Sequence, residues 1–286
     1  MLTFPIVDAH VHLVDLELLR YKWMAGAPAL NRTWTPSDLT ACAKPYEIGG
    51  YVFVEVDVDA PLHMDEARWV DGVAKTDPRL KGCVASLPME LGPAAVEADM
   101  AALAELGVMR GVRRLIQDHP DPDVMLRPEF VAAVKLLPTY NLSFDLCIKH
   151  PQFTKTIELV RRCPEVSFIL DHIAKPGIKA GLIDPWRSNL RDLASSSNVV
   201  CKVSGVMTEA DHDGWTRDQL RPYIDHAIDC FGFQRLMFGG DWPVVELAGA
   251  YTQWLAVLEW ATAGCSDGEL RALFRETAVR AYRLAM

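Results

Sequence analysis

Short runs rich in β-branched and aromatic residues alternate with longer stretches of helical spacing along the whole of this 286-residue chain. Strand–helix alternation of that kind packs best as a parallel sheet covered by helices. Eight runs are read: Pro5 to Leu13, Gly50 to Val58, Leu80 to Leu87, Val108 to Ile116, Leu142 to His150, Val166 to Ile173, Asn198 to Gly205 and Arg235 to Asp241. An open doubly wound sheet usually carries a glycine-rich phosphate loop after its first strand, and here that position holds histidines. Eight units without that loop predict an α/β fold, a closed (β/α)8 TIM barrel. No linker, repeat or low-complexity stretch interrupts the alternation, so residues 1–286 are read as a single domain.

Half the residues are hydrophobic and 23% are charged, enough for one large core. The net charge of −9 comes without any basic run able to follow a phosphate backbone, so nucleic acid is not an expected partner. No apolar stretch approaches the roughly 20 residues of a membrane span, and the N-terminal residues have no basic segment followed by an apolar one. A cytoplasmic protein is expected, with self-association left open. The seven cysteines include no Cys-x-x-Cys pair, and Cys83, Cys147 and Cys201 sit in apolar runs where a thiol behaves as a small buried hydrophobe.

The first strand carries the chemistry. His10 and His12 are two residues apart, so their side chains leave the same face of a strand. Alternation assigns Val7, Ala9, Val11 and Leu13 to the outer helices and both imidazoles to the barrel interior, at the C-terminal rim where barrel enzymes hold their sites. The sixth strand brings His172 to that rim and the eighth brings Asp241. Three imidazoles and a carboxylate can hold a metal or activate water.

Taken together, Val7-Asp-Ala-His-Val-His12, Leu170-Asp-His-Ile-Ala-Lys-Pro176, Cys201-Lys-Val-Ser-Gly205 and Phe238-Gly-Gly-Asp-Trp-Pro243 resemble the amidohydrolase superfamily, and more narrowly its sugar-lactonase branch. Tyr21-Lys-Trp23, Gly111-Val-Arg-Arg114, Asp145-Leu-Cys-Ile148 and Thr208-Glu209 extend the similarity over almost the whole chain. The resemblance implies hydrolysis of a small lactone, with His10 and His12 as metal or carbonyl ligands, His172 as a further imidazole and Asp241 as general base. It implies one divalent metal, zinc by preference, held by His10, His12, His172 and Asp241, while some lactonase relatives work with the histidines as hydrogen-bond donors and no metal. The bridging lysine of two-metal relatives is absent, because the fourth strand ends Leu115-Ile-Gln-Asp118.

Other residues are assigned around that centre. Arg113 and His150 are expected to meet substrate, as is Trp242, with Trp23 and Trp34 as further candidates for an aromatic wall. Glu55 is either a ligand for metal or substrate hydroxyl, or a carboxylate that orients a neighbouring histidine. Arg114, Lys149 and Lys175 read as structural ion pairs, and His63, His119, His212 and His226 as surface residues. Two rival functions remain: a metal-dependent decarboxylase with a similar rim, and a non-catalytic binding barrel.

Overall fold

The structure, a computed structural model, describes residues 2–286. Eight parallel strands pair in sequence order: β1 (Ile6–Val11), β2 (Ile48–Val54), β3 (Leu80–Ser86), β4 (Met109–Leu115), β5 (Ser143–Cys147), β6 (Phe168–Leu170), β7 (Val199–Val203) and β8 (Leu236–Phe238). The gap between β8 and β1 is bridged just past the end of β8. There the Asp241 amide donates to the His10 carbonyl and the His12 amide to the Trp242 carbonyl, each at 2.8 Å. Asp8 reinforces this seam by accepting from the amides of Gly240 and His10 and from the Tyr251 hydroxyl. A side chain at 240 would put its Cβ 2.3 Å from the Asp8 carboxylate, so only glycine lets the strands approach.

Helices α1 (Pro36–Ala43), α2 (His63–Thr76), α3 (Pro93–Ala104), α4 (Pro128–Val134), α5 (Phe153–Arg162), α6 (Trp186–Ala194), α7 (Arg217–Phe231) and α8 (Tyr251–Ala261) form the outer layer. The start of α1 is capped as its sequence predicts, with Thr35 and Asp38 exchanging side-chain and backbone hydrogen bonds. Among the described residues no helix is long and apolar enough to cross a membrane.

Simple alternation fails in the first strand. Val7 and Ala9 do not face the helices: they cluster with Val52, Val54, Val84, Ile169 and Met237. Side chains from five strands can meet that way only inside the barrel. Between Asp8 and Val11 the register against β2 shifts, and an extra residue of that kind reverses the face of everything beyond it. Asp8 therefore points outward to α8, while Val11 and Leu13 join the outer core. In β2 the interior positions are likewise Val52 and Val54. Tyr51 and Phe53 turn outward, to Asp77 and to Trp69 of α2.

The barrel floor is made by the C-terminus. A helical run ends at Ala281, and Tyr282 and Leu284 then pack beneath the interior valines. The Tyr282 hydroxyl donates to Asp145 inside the barrel.

Near the first loop, Glu66 of α2 is fully enclosed and accepts from the Tyr21 hydroxyl at 3.1 Å. Burial, then repulsion from Glu55, pushes its carboxyl up to about 8 from 4.5. Over that window the folded chain retains a proton that the unfolded chain has released, so stability falls as pH rises, by up to about 1.4 kcal/mol per pH unit. Glu66→Gln is expected to flatten that part of the profile. Denaturant unfolding at pH 5 and pH 8 should show a smaller loss for the variant than for the parent, and an equal loss would remove Glu66 as its source.

Candidate active site

The rim residues converge. Asp241 Oδ1 lies 3.3 Å from His12 Nε2 and 3.7 Å from His10 Nε2, and Asp241 Oδ2 lies 3.9 Å from His172 Nδ1. The ring centroid of His10 is 4.9 Å from that of His12 and 4.4 Å from that of His172. All four residues are buried, and His12, His172 and Asp241 border a cavity of about 480 Å³. His10 sits just beneath it.

Unusual backbone brings these groups in. Asp241 has φ 54°, and His172, Ile173, Ala174 and Lys175 have φ of 55°, 47°, 61° and 46°. Each left-handed residue other than glycine costs about 1–2 kcal/mol, so a run of four is held by its surroundings. Ile173 and Ala174 are fully buried, and the Trp186 indole donates to the Ile173 carbonyl at 2.7 Å. Gly205 lies against the His172 ring, where a Cβ would stand 2.8 Å from Nδ1.

Below the rim the interior is filled with charge. Lys202 of β7 is fully buried, with Nζ 2.7 Å from Asp145 and 2.8 Å from Asp171. Burial opposes its ammonium, but the two carboxylates outweigh burial and raise its pKa. Arg113 of β4 donates to the Glu55 carboxylate and carbonyl, each at 2.6 Å, and to Asp171 at 3.1 Å. Both cations also face His10, Lys202 at 3.2 Å from Nδ1 and Arg113 at 3.4 Å from Nε2. Burial and the Lys202 charge accordingly hold His10 well below the ordinary histidine range, as a neutral ring. His172 is likewise lowered, to about 4, chiefly by burial. Asp241 moves the other way: burial would raise it, but the neighbouring imidazoles, His172 first, keep it below the ordinary carboxylate range.

These residues suit a divalent cation. His10, His12 and Asp241 lie close enough to share an ion, but the Lys202 ammonium facing Nδ1 puts the proton of the neutral His10 ring on Nε2, which leaves His12 and Asp241 as the ligands. The His12 Nδ1–H faces the Val54 carbonyl at 2.8 Å, which leaves the Nε2 lone pair directed at Asp241. Ligands about 2.0–2.1 Å from a tetrahedral ion stand about 3.3 Å apart, which matches the separation of His12 Nε2 from Asp241 Oδ1. Imidazole nitrogens with a carboxylate oxygen also match the ligand preference of zinc. Charge agrees as well, since Glu55, Asp145, Asp171 and Asp241 outnumber Lys202 and Arg113 by two in this enclosed space.

The other residues singled out in the sequence scatter more widely. Arg113 does border the cavity, but its N–H groups are occupied by Glu55 and Asp171. Glu55 orients Arg113 from behind and does not line the cavity. Trp242 is fully buried behind the rim. Its ring packs edge-on against Trp34 and its indole donates to Glu246, so the aromatic wall consists of Trp23. His150 lies beside Gly177, outside the cavity lining. Arg114 and Lys149 pair with Glu90 and Asp118 as expected. Lys175 pairs more loosely with Glu209, at 4.0 Å, and it also lines the cavity. His226 is not a surface residue but is buried against the Arg187 carbonyl and Cys230. Cys147 borders the cavity, but burial raises its thiol to about 11, which keeps it protonated at neutral pH. Sequence reasoning missed Lys202, Asp171 and Asp145, although all three lie within or at the start of the motifs quoted above.

Comparison with known proteins agrees with this geometry. Residues 7–284 match a family model described as Amidohydrolase. An L-fucono-1,5-lactonase from Burkholderia ambifaria is 32% identical over 267 residues, 92% of this chain and 89% of that protein. An L-rhamnono-gamma-lactonase from Scheffersomyces stipitis is 24% identical over 99% of this chain and its own full length. A crystal structure of an amidohydrolase from Burkholderia multivorans with bound zinc superposes with a TM-score of 0.88, at 28% identity, covering 99% of this chain and all of that one.

Proposed function

Because the chain belongs to the amidohydrolase family, we propose that it hydrolyses a small sugar lactone, by attack of a water that Asp241 orients and deprotonates. The observation that carries this reading is the convergence of His10, His12 and His172 on the Asp241 carboxylate at the floor of one cavity. The names of the lactonase relatives support the reaction class.

His12 and Asp241 would hold a single divalent cation, zinc, with the imidazoles of His10 and His172 facing the same point. When bound, such a cation supplies Lewis acidity to an ester carbonyl or to water. The protein's own groups do the rest. Asp241 is ionised at neutral pH and accepts the proton of the attacking water at its carboxylate oxygen. The neutral rings of His10 and His172 offer N–H donors to the carbonyl oxygen as charge builds on it. The proton on Asp241 then passes to the ring oxygen as the ester C–O bond breaks, which releases the hydroxy acid and restores the carboxylate.

A panel of sugar lactones assayed by acid release against a pH indicator tests the reaction, and the same panel with a chelator tests the cation. Acid release is expected, with at least about 10-fold loss on chelation and recovery on adding zinc, in line with the metal's part in charge stabilisation. No acid from any lactone, together with decarboxylation of an aromatic acid, would overturn the reading. Full activity in protein stripped of metal would leave lactone opening intact and remove the cation from it.

A further inference from the structure

The left-handed turn at residues 172–175 has a geometric consequence. Side chains three residues apart on one helical turn lie on a common face, and here those are His172 and Lys175. Both line the cavity, whereas Ile173 and Ala174 between them are buried in the core.

Two cationic side chains other than histidine border the cavity, Arg113 and Lys175. The Arg113 guanidinium is bound at 2.6 Å and 3.1 Å by Glu55 and Asp171. Among the described residues no hydrogen-bond acceptor is found for the Lys175 ammonium, whose carboxylate neighbour Glu209 stands at 4.0 Å. Lys175 is thus a cation at the cavity wall with donors to offer. Three carboxylates, Asp57, Asp118 and Asp241, line the same space, and they disfavour a substrate that carries negative charge of its own. The oxygen that suits Lys175 is therefore a neutral one. Trp23, Met24, Leu30, Val244 and Leu247 contribute an apolar surface to the same cavity, which suits the C–H face of a sugar ring.

We propose that Lys175 is the specificity-determining residue of the site, donating to a hydroxyl of a neutral polyhydroxylated lactone, with the left-handed turn fixing its ammonium relative to His172. This rests on the lactone-hydrolase reading and goes further by assigning the substrate's charge class and the residue that recognises it. A cation left without its hydroxyl partner in a partly enclosed site is what penalises an analogue lacking that hydroxyl.

The test compares kcat/KM for the best neutral lactone, its monodeoxy analogues and a lactone bearing a carboxylate, in the parent enzyme and in Lys175→Met, Lys175→Arg and Glu209→Gln. The parent is expected to disfavour one monodeoxy analogue by about 10²-fold or more and to disfavour the carboxylate. In Lys175→Met that preference for the hydroxyl should collapse to within about 3-fold, with the loss on the parent lactone mainly in KM. Lys175→Arg should restore part of the preference, and Glu209→Gln should leave it unchanged. Equal losses on every substrate in Lys175→Met, an undiminished preference, or better turnover of the carboxylate lactone by the parent would each overturn the assignment. A parent enzyme that opens no lactone sinks the underlying reaction, whereas turnover with unaltered preference sinks Lys175 alone.

Discussion

Asp241→Asn is expected to lower kcat by about 10³- to 10⁴-fold with the fold retained, because it removes the general base and leaves the shape of the side chain. Asparagine is the replacement of choice here, since it tolerates the left-handed φ of 54° that residue 241 adopts and its amide can still approach His12. Backbone bonds at this position, from the 241 amide to the His10 carbonyl and from the Val245 amide to the 241 carbonyl, do not depend on the side chain. Circular dichroism and thermal unfolding close to the parent, together with lost turnover, would place the effect in the chemistry. A folded variant with normal kcat would remove Asp241 from the mechanism and with it the reading built on the rim.

Arg113→Leu is expected to cost about 3–5 kcal/mol of stability, far more than the neighbouring Arg114→Leu, which should cost no more than about 1 kcal/mol. Arg113 is enclosed with Glu55 and Asp171, both nearly inaccessible to solvent, so its loss leaves the Glu55 carboxylate buried without a cation and Asp171 with Lys202 alone. Arg114 pairs with Glu90 where both side chains reach solvent, and the freed carboxylate can hydrate. Urea unfolding of the two variants decides the matter. A loss below about 1 kcal/mol for Arg113→Leu would mean that Lys202 or water takes over both carboxylates, and the interior network would have to be redrawn.

The fold was legible because strand runs and helical spacing are local signals: seven strands fall within the runs read from the sequence, and β2 begins two residues ahead of its run, at Ile48. Orientation within a strand is another matter. The register shift after Asp8 arises from pairing with β2, which the β1 sequence does not encode by itself. Alternation therefore put Val7 and Ala9 on the wrong face while placing His10 and His12 correctly. The rim residues were readable because histidine and aspartate at strand ends are uncommon and recur in an ordered set. Lys202 was hidden by the same reasoning, since a lysine among Val199, Val200, Cys201 and Val203 looks like an interruption until its partners Asp145 and Asp171 are seen. Lys175 pairs with Glu209 as expected, but its place in the cavity wall was hidden for a different cause. Ile173 and Ala174 carry no sequence signal for the left-handed backbone from which Lys175 enters the cavity wall.

The tail that ends in Tyr282 and Leu284 stoppers the cylinder from below, and interior valines and buried ion pairs fill the space above it. The reaction chamber is therefore a cul-de-sac. On the proposed lactonase reading, lactone and hydroxy acid pass through the same rim, so the spent acid must back out before the next ring can enter, and accumulating product contends directly with fresh substrate for the threshold.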